Sequence, residues 1–249
     1  MTTAIHIELT DHVLHLQLAR PERKNALTNE MYSALARALS DANEDPAVRA
    51  VVITGQGDVF CAGNDLGAFL DGTAFGEPSP VLAFLHALAD MKRPLIAGVQ
   101  GAAVGVGTTM LLHCDYVVMS PTARLRMPFV QLGAVPEAGS SALIPALVGH
   151  RRAFAWLVLG EWISAEEAVQ TGIANRIADE DVAAAALAVG ARVAKLPAGA
   201  VHASLSLLRE RQRADLHALI DHEATLFKQQ LTTDETIRII SAALGGKRG

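Results

Sequence analysis

Val51-Val52-Ile53-Thr54-Gly55, continuing through Gln56-Gly57-Asp58-Val59 into Phe60-Cys61-Ala62-Gly63-Asn64-Asp65-Leu66, is the stretch that decides the fold. A β-branched run bounded by a glycine reads as a strand buried on both faces, as in a parallel sheet. It runs into small residues and Gly63, where backbone N–H groups can be left free to point at an anion. Downstream, Leu95-Ile96-Ala97 leads into Gln100-Gly101-Ala102-Ala103-Val104-Gly105-Val106-Gly107, with a helical stretch from Thr108 to His113 behind it. A glycine-rich turn at a helix start offers oriented N–H donors and a positive dipole end. Such glycines also serve tight turns and close helix packing, so each signal alone is weak. The pair, one strand-turn-helix apart, is stronger than either member.

On the N-terminal side, Leu14, Leu16 and Leu18 alternate with His15 and Gln17. That predicts a half-buried strand from Val13 to Leu18, paired with Ile5 to Leu9 across Thr10-Asp11-His12. Thr28 caps a helix whose Met31, Leu35 and Leu39 recur every four residues until Asn43 and Pro46 stop it, burying a narrow apolar stripe. On the C-terminal side, Tyr116-Val117-Val118-Met119 is a further short strand, and Ser79-Pro80 opens a helix carrying Val81, Leu85 and Leu88. Strands and helices alternate to about Ile177, the pattern of an α/β domain. Ser164-Ala165-Glu166-Glu167 is a capping box before a short helix ended by Gly172, and from Asp181 the pattern is helical almost to the end. There Leu207, Leu208, Leu216, Leu219, Ile220 and Phe227 are spaced for one apolar face, which must pack on its own domain or on another subunit. Gly67 to Pro80, with three glycines and two prolines, reads as a mobile loop near a site.

The 249 residues carry 21 Lys and Arg against 26 Asp and Glu, a formal charge of -5, so nothing favours a nucleic acid as partner. Hydrophobic residues at 51% and charged ones at 19% let the chain bury enough apolar surface to offset its ordering entropy. Disorder is excluded as its main state. The mean hydropathy of +0.27 raises the question of a membrane span. The best uncharged candidate, Pro94 to Leu112, holds four glycines, Gln100, Thr108 and Thr109, so no spanning helix and no membrane partner are expected. Met1 to Asp11 lacks both a basic start and a long apolar run, which argues against secretion. Two cysteines, Cys61 and Cys114, fit a reduced cytoplasmic enzyme.

Three other chemistries fail on particular residues. Gly105-Val106-Gly107 starts like a dinucleotide fingerprint but meets Met110 at the third glycine position, and no P-loop occurs. Ser140-Ser141 after Gly139 lacks the second glycine of a hydrolase elbow. The nine histidines show no H-E-x-x-H, and His217 and His222 lie on different helix faces, so no metal site is expected.

Two oxyanion-type turns together are what thioester enolate chemistry requires, and the chain resembles the crotonase, or enoyl-CoA hydratase/isomerase, superfamily. The resemblance runs through Leu18-Ala19-Arg20-Pro21-Glu22-Arg23-Lys24-Asn25-Ala26-Leu27, the Phe60 to Leu66 segment, Gly101 to Asp115, and Met127-Pro128-Phe129-Val130-Gln131-Leu132-Gly133. It implies a crotonase-like spiral of ββα units over residues 1–195. It also implies C-terminal helices over 196–249 that assemble a homotrimer or a dimer of trimers. The implied substrate is an acyl-CoA thioester, with no cofactor beyond the coenzyme A of the substrate, and its carbonyl oxygen would be held by the backbone N–H groups of Asn64 and Val106. Arg23, Lys24 and Ala26 fall where the family contacts pantetheine and phosphate, although a solvated basic pair is an equally good reading of 23 and 24. Ala62, Asp65 and Leu66 border the adenine pocket, Gly105 belongs to the substrate-binding turn, and Leu205 stands where the family often has a lysine.

The departures from the family pattern narrow the chemistry. Hydratases of this family split water between two glutamates, and the aligned positions here, both counted with the substrate pocket, are Thr109 and Phe129. Ahead of the next helix start, Leu132-Gly133-Ala134-Val135-Pro136-Glu137-Ala138-Gly139-Ser140-Ser141 supplies one carboxylate, as in some members of the Δ3,Δ2-enoyl-CoA isomerase branch. The resemblance therefore implies an isomerase with Glu137 as its base, while Glu137 as a first-turn residue favouring the helix dipole is the structural alternative. Other enolate chemistry, as in a ring-epoxide isomerase or a weak hydratase, and a non-catalytic acyl-CoA binder remain the competing expectations.

Overall fold

The computed structural model describes residues 4–65, 79–179, 181–213 and 215–245. The chain opens as the expected hairpin, β1 (Ile5–Thr10) against β2 (Val13–Leu18), in register from Ile5 opposite Leu18 to Thr10 opposite Val13. Its two turn residues, Asp11 and His12, both take positive φ, the twist a two-residue hairpin turn requires. α1 (Asn29–Glu44) starts at Thr28, whose Oγ1 accepts the Met31 N–H at 3.3 Å. Met31, Leu35 and Leu39 are buried as their spacing predicts, but Tyr32, Ala36, Ala38 and Ala42 are buried with them. The stripe is broad rather than narrow because a second helix covers the flank of α1. Phe84 of that helix packs its ring 5.5 Å from Tyr32.

After β3 (Ala50–Gly55) comes this α2 (Pro80–Ala89), capped by Ser79, whose Oγ accepts the Leu82 N–H. Then follow β4 (Leu95–Val99), β5 (Ala102–Val104), a short α3 (Val106–Thr109), β6 (Tyr116–Met119) and β7 (Arg124–Arg126). The chain continues through α4 (Ser140–Val148), α5 (His150–Leu157), β8 (Ile163–Ser164), α6 (Ala165–Thr171), β9 (Arg176–Ile177) and α7 (Val182–Ala194). The last elements are α8 (Ala198–Arg213), α9 (Leu216–Leu231) and α10 (Asp234–Gly245). Ser164 caps α6 through the Glu167 N–H, Gly172 ends it at φ 82°, and Asp181 caps α7, all where the sequence places them.

Two stacks of strands run side by side. The main sheet has the order β1-β2-β3-β4-β6-β9, parallel except for the hairpin, and the second has the order β5-β7-β8. Each turn of chain gives one strand to the first stack and the next to the second, β4 then β5, β6 then β7. Two isolated parallel pairings, Cys61 with Ala103 and Leu27 with Asn64, extend the second stack into the segments before it. This is the spiral of ββα turns. Its second stack has strands of two or three residues, too short for any periodicity to show in the sequence.

Every residue of β3 and β4 is buried, because α7 lies on one face with Val182, Ala185, Ala186 and Val189, and α1 and α2 lie on the other. Each fully buried aliphatic side chain contributes about 1.5–3 kcal/mol, so this layering is what fixes the strand ends that carry the site. The C-terminal apolar face does not stay in one piece. Leu216, Ile220 and Phe227 of α9 bury against the chain's own spiral, whereas Leu207 and Leu208 of α8 are each 74% exposed. Among the described residues no single helix is long and apolar enough to cross a membrane.

Candidate active site

The two glycine turns meet where the second stack begins. Val104 donates its N–H to the Cys61 carbonyl at 2.9 Å and Cys61 donates to the Ala102 carbonyl at 3.3 Å, so the segment after β3 lies directly along β5. That approach leaves no room for side chains. A Cβ on Gly63 would stand 2.9 Å from the Val104 oxygen, and one on Gly107 would stand 2.6 Å from the Cys61 oxygen. Asn64 sits between two bonds taken up by Leu27, whose N–H donates to the Gly63 carbonyl and whose carbonyl accepts from Asp65. Val106 is the first residue of α3, entered through Gly105 at φ 57° and ψ -123°. Among the described residues the N–H groups of Asn64 and Val106 have no hydrogen-bond partner. The Asn64 side chain is pinned from below, its Oδ1 accepting from the Tyr32 hydroxyl.

Glu137 reaches the same cluster from the turn before α4. It is only 5% exposed, and the Thr109 hydroxyl donates to its Oε1 at 3.0 Å. Burial pushes its carboxyl up to about 7, the nearby Glu223 carboxyl adds to the rise, and the Thr109 hydrogen bond opposes it. Tyr32 and Cys61 face this carboxyl. Burial raises the Tyr32 phenol well above its ordinary range, with Glu137 adding to it, and pushes the Cys61 thiol up to about 12, so both remain protonated. A carboxyl that titrates near neutrality, beside two groups that do not, is the one side chain of the cluster able to exchange a proton.

The turn that presents Glu137 is held from two sides. Ala138 lies at φ 60° and Gly139 at φ 74°, and a left-handed alanine costs about 1–2 kcal/mol unless its surroundings fix it. His113 Nε2 bonds the Ala138 carbonyl at 2.9 Å. A carbonyl only accepts, so Nε2 carries the proton, and burial pushes this histidine down to about 4, which keeps it neutral. From α9, Glu223 accepts the Gly139 and Ser141 N–H groups at 2.6 and 3.0 Å and the Ser141 hydroxyl as well.

The remaining sequence-predicted residues fall into three groups. Arg23 and Lys24 are exposed at the edge of the second stack, where the Lys24 carbonyl accepts the Ala62 N–H at 3.0 Å, and Ala26 and Ala62 are half-buried beside them. Their neighbour Asn25 is fully buried, its side chain tying the Arg20 N–H to the Gln56 and Val59 carbonyls, so this residue of the motif is a fastener of the loop. Asp65 is ion-paired with Arg20 at 2.8 Å, and Arg20 also donates to the Ala26 carbonyl, which makes Asp65 part of the frame around the opening. Phe129 is buried with its ring edge-on to Phe227, 6.5 Å between centroids, while Leu205 is buried in an apolar cavity with Ile96, Tyr116, Val189 and Leu196. Leu66 and the proposed loop up to Pro78 lie outside the described residues. Tyr32, Glu223, His113 and Arg20 were not picked out by sequence reading. Glu223 alone left a signal, a carboxylate on the apolar face of Leu216, Ile220 and Phe227.

A ββα spiral that sets two amide N–H groups, unpartnered among the described residues, beside one buried, neutral-range carboxyl can polarise a carbonyl and move a proton next to it. The family profile of enoyl-CoA hydratase/isomerase matches residues 8–241. The probable enoyl-CoA hydratase EchA14 of Mycobacterium tuberculosis is 37% identical over 222 residues, covering 87% of this chain and 86% of that protein. Human enoyl-CoA delta isomerase 2 is 32% identical over 245 residues, covering 95% of this chain but only 62% of that one. The structure of Pseudomonas aeruginosa OdaA superimposes with a TM-score of 0.93 at 41% identity, covering 97% of this chain and 99% of that chain. The protein belongs to the enoyl-CoA hydratase/isomerase family and is an enzyme of the crotonase superfamily, which acts on acyl-CoA thioesters.

Proposed function

We propose that the protein is an enoyl-CoA isomerase that shifts a C3 double bond to C2, with Glu137 as its single proton shuttle and the amides of Asn64 and Val106 as its oxyanion hole. The observation that carries this reading is that neither position of the family's paired hydratase glutamates puts a second carboxylate beside Glu137. Its nearest polar partner is the hydroxyl of Thr109, at the position where the family's hydratases keep a glutamate, and Phe129 fills the other such position.

The chemistry needs nothing else. The Glu137 carboxylate takes a proton from C2, and the electron pair of that C–H bond spreads through the C3 double bond and the carbonyl onto the thioester oxygen. Both amides stabilise that oxygen as it becomes an oxyanion, each typically contributing about 3 kcal/mol to the transition state. The carboxyl then returns the same proton to C4, leaving the double bond at C2 in conjugation. A group whose proton affinity lies near neutrality can both accept and release, and a side chain this buried keeps water from competing for the dienolate. Arg23 and Lys24, exposed beside Ala62, are the cations available for the phosphates of coenzyme A, and Gly105 with Ala26 and Ala62 lets the thioester arm lie against backbone.

The test assays the wild type on a 2-enoyl-CoA for 3-hydroxyacyl-CoA and on a 3-enoyl-CoA for the conjugated product. Isomerisation should dominate, with kcat/KM rising as pH passes about 7, where the free carboxyl ionises. Faster hydration would overturn the reading, since that reaction requires a second water-activating group.

A further inference from the structure

Glu223 is 4% exposed, lies on a C-terminal helix outside the spiral, and is spent on none of the steps above. Its two oxygens accept three hydrogen bonds, and all three come from the turn that carries Glu137, namely the Gly139 N–H, the Ser141 N–H and the Ser141 hydroxyl. The turn through the left-handed pair Ala138 and Gly139 aims the Gly139 and Ser141 N–H groups at one spot at the start of α4, a nest with a partial positive charge, while the Ser140 N–H between them bonds back to the Glu137 carbonyl. The chain fills that nest with its own carboxylate, brought there by burial of Leu216, Ile220 and Phe227 on the same face of α9.

We propose that Glu223 is a positioning residue for Glu137, locking the 137–141 turn in the conformation that brings the Glu137 carboxyl to Thr109. The inference rests on the shuttle role given to Glu137. Two features support it. Ala138 holds a conformation that alanine avoids, and the bonds that impose it are the one from His113 to its carbonyl and the ones Glu223 accepts just beyond it. The Glu223 carboxyl also raises the proton affinity of Glu137, so the same side chain acts on both place and charge. The other groups facing Glu137 are the Tyr32 phenol from α1, the Cys61 thiol from the segment after β3, and the Thr109 hydroxyl from α3. Burial keeps the phenol and the thiol protonated, which leaves Glu223 as the acidic partner of Glu137 among the described residues.

Glu223→Gln removes the charge and offers one acceptor in place of two. With a 3-enoyl-CoA substrate, kcat should fall roughly ten- to a hundredfold, the cost of a small misplacement of a reacting group, while KM changes little. Separately, the Glu137 carboxyl, followed by NMR in protein labelled at the glutamate side-chain carbon and assigned with Glu137→Gln, should titrate at lower pH than in the wild type. Wild-type kcat together with an unmoved titration would overturn the proposal. If Glu223→Gln does not fold, Ser141→Ala, which leaves the carboxylate in place and removes one donor, should still lower kcat without raising KM. Unchanged kcat in that variant would make Glu223 a fold residue only. Should the wild type lack isomerase activity, the function reading fails while the NMR titration still decides whether Glu223 governs the Glu137 carboxyl.

Discussion

The amide turns at Asn64 and Val106 and the carboxyl turn at Glu137 meet in one site but are built on opposite principles. The amides are placed by what is missing. Gly63 and Gly107 have no side chains, so two backbone segments close to a distance that a Cβ would forbid, with the Tyr32 hydroxyl holding the Asn64 side chain beside them. Glu137 is placed by what has been added from elsewhere, a hydroxyl from α3, an imidazole behind its turn and a carboxylate from α9. A donor made of backbone depends on glycines at the points where two segments distant in sequence touch. An acid whose proton affinity must sit near neutrality depends on burial, and burial is a property of the whole fold.

The largest effect should come from the carboxyl side. Glu137→Gln keeps shape and a hydrogen bond to Thr109 but cannot carry a proton, so kcat on a 3-enoyl-CoA should fall by about 10² to 10⁴ while affinity for an unreactive thioester analogue barely changes. Retained turnover would move the proton transfer to another group and dissolve the contrast. On the amide side, Gly107→Ala forces a methyl to 2.6 Å from the Cys61 oxygen, so the turns must separate. Losing alignment of one donor should cost roughly 10² to 10³ in kcat, with a lowered Tm measured in the same preparation. A wild-type rate in that variant would show that the close approach does not set the amides.

The smallest effect concerns stability, and it separates the two sides by pH. The Glu137 carboxyl rises from 4.5 to about 7 on folding, so its contribution is fully present below the lower value and is lost as pH rises through the upper one. Glu137→Gln removes that loss. Denaturant unfolding should therefore find the variant gaining on the wild type between about pH 4 and pH 8, by at most about 3 kcal/mol. A gain that did not depend on pH would mean that the Glu137 carboxyl titrates at the same pH in the folded and the unfolded protein.

Apart from the two-residue β9, the spiral's main sheet was legible because its strands are long enough to show a pattern. Val13 to Leu18 alternates, β3 is apolar from Ala50 to Ile53, and Thr28, Ser79, Ser164 and Asp181 each announce a helix start by a capping side chain. The second stack was not legible, since β5, β7 and β8 have too few residues for a period and are stabilised by pairing with segments far away in sequence. Tyr32 escaped notice for a related reason. It follows Met31 on α1 and looks like a flank residue until α2 covers that flank and turns its hydroxyl toward Asn64. The apolar face read across α8 and α9 was one face only in spacing. The chain breaks between the two helices, and Leu207 and Leu208 end up exposed where Leu216 and Ile220 are buried.

By itself the sequence determined the strand-turn-glycine segments, because each depends on residues next to one another along the chain, while Asn64, Val106 and a lone Glu137 were singled out by the resemblance to the family. Only the tertiary structure decided that Glu137 would be buried, that Glu223 would cross from α9 to fill the nest behind it, and that Arg20 would claim Asp65. Those outcomes depend on desolvation and on partners brought together from as far as 84 residues apart, as Gly139 and Glu223 are, and no local pattern encodes either.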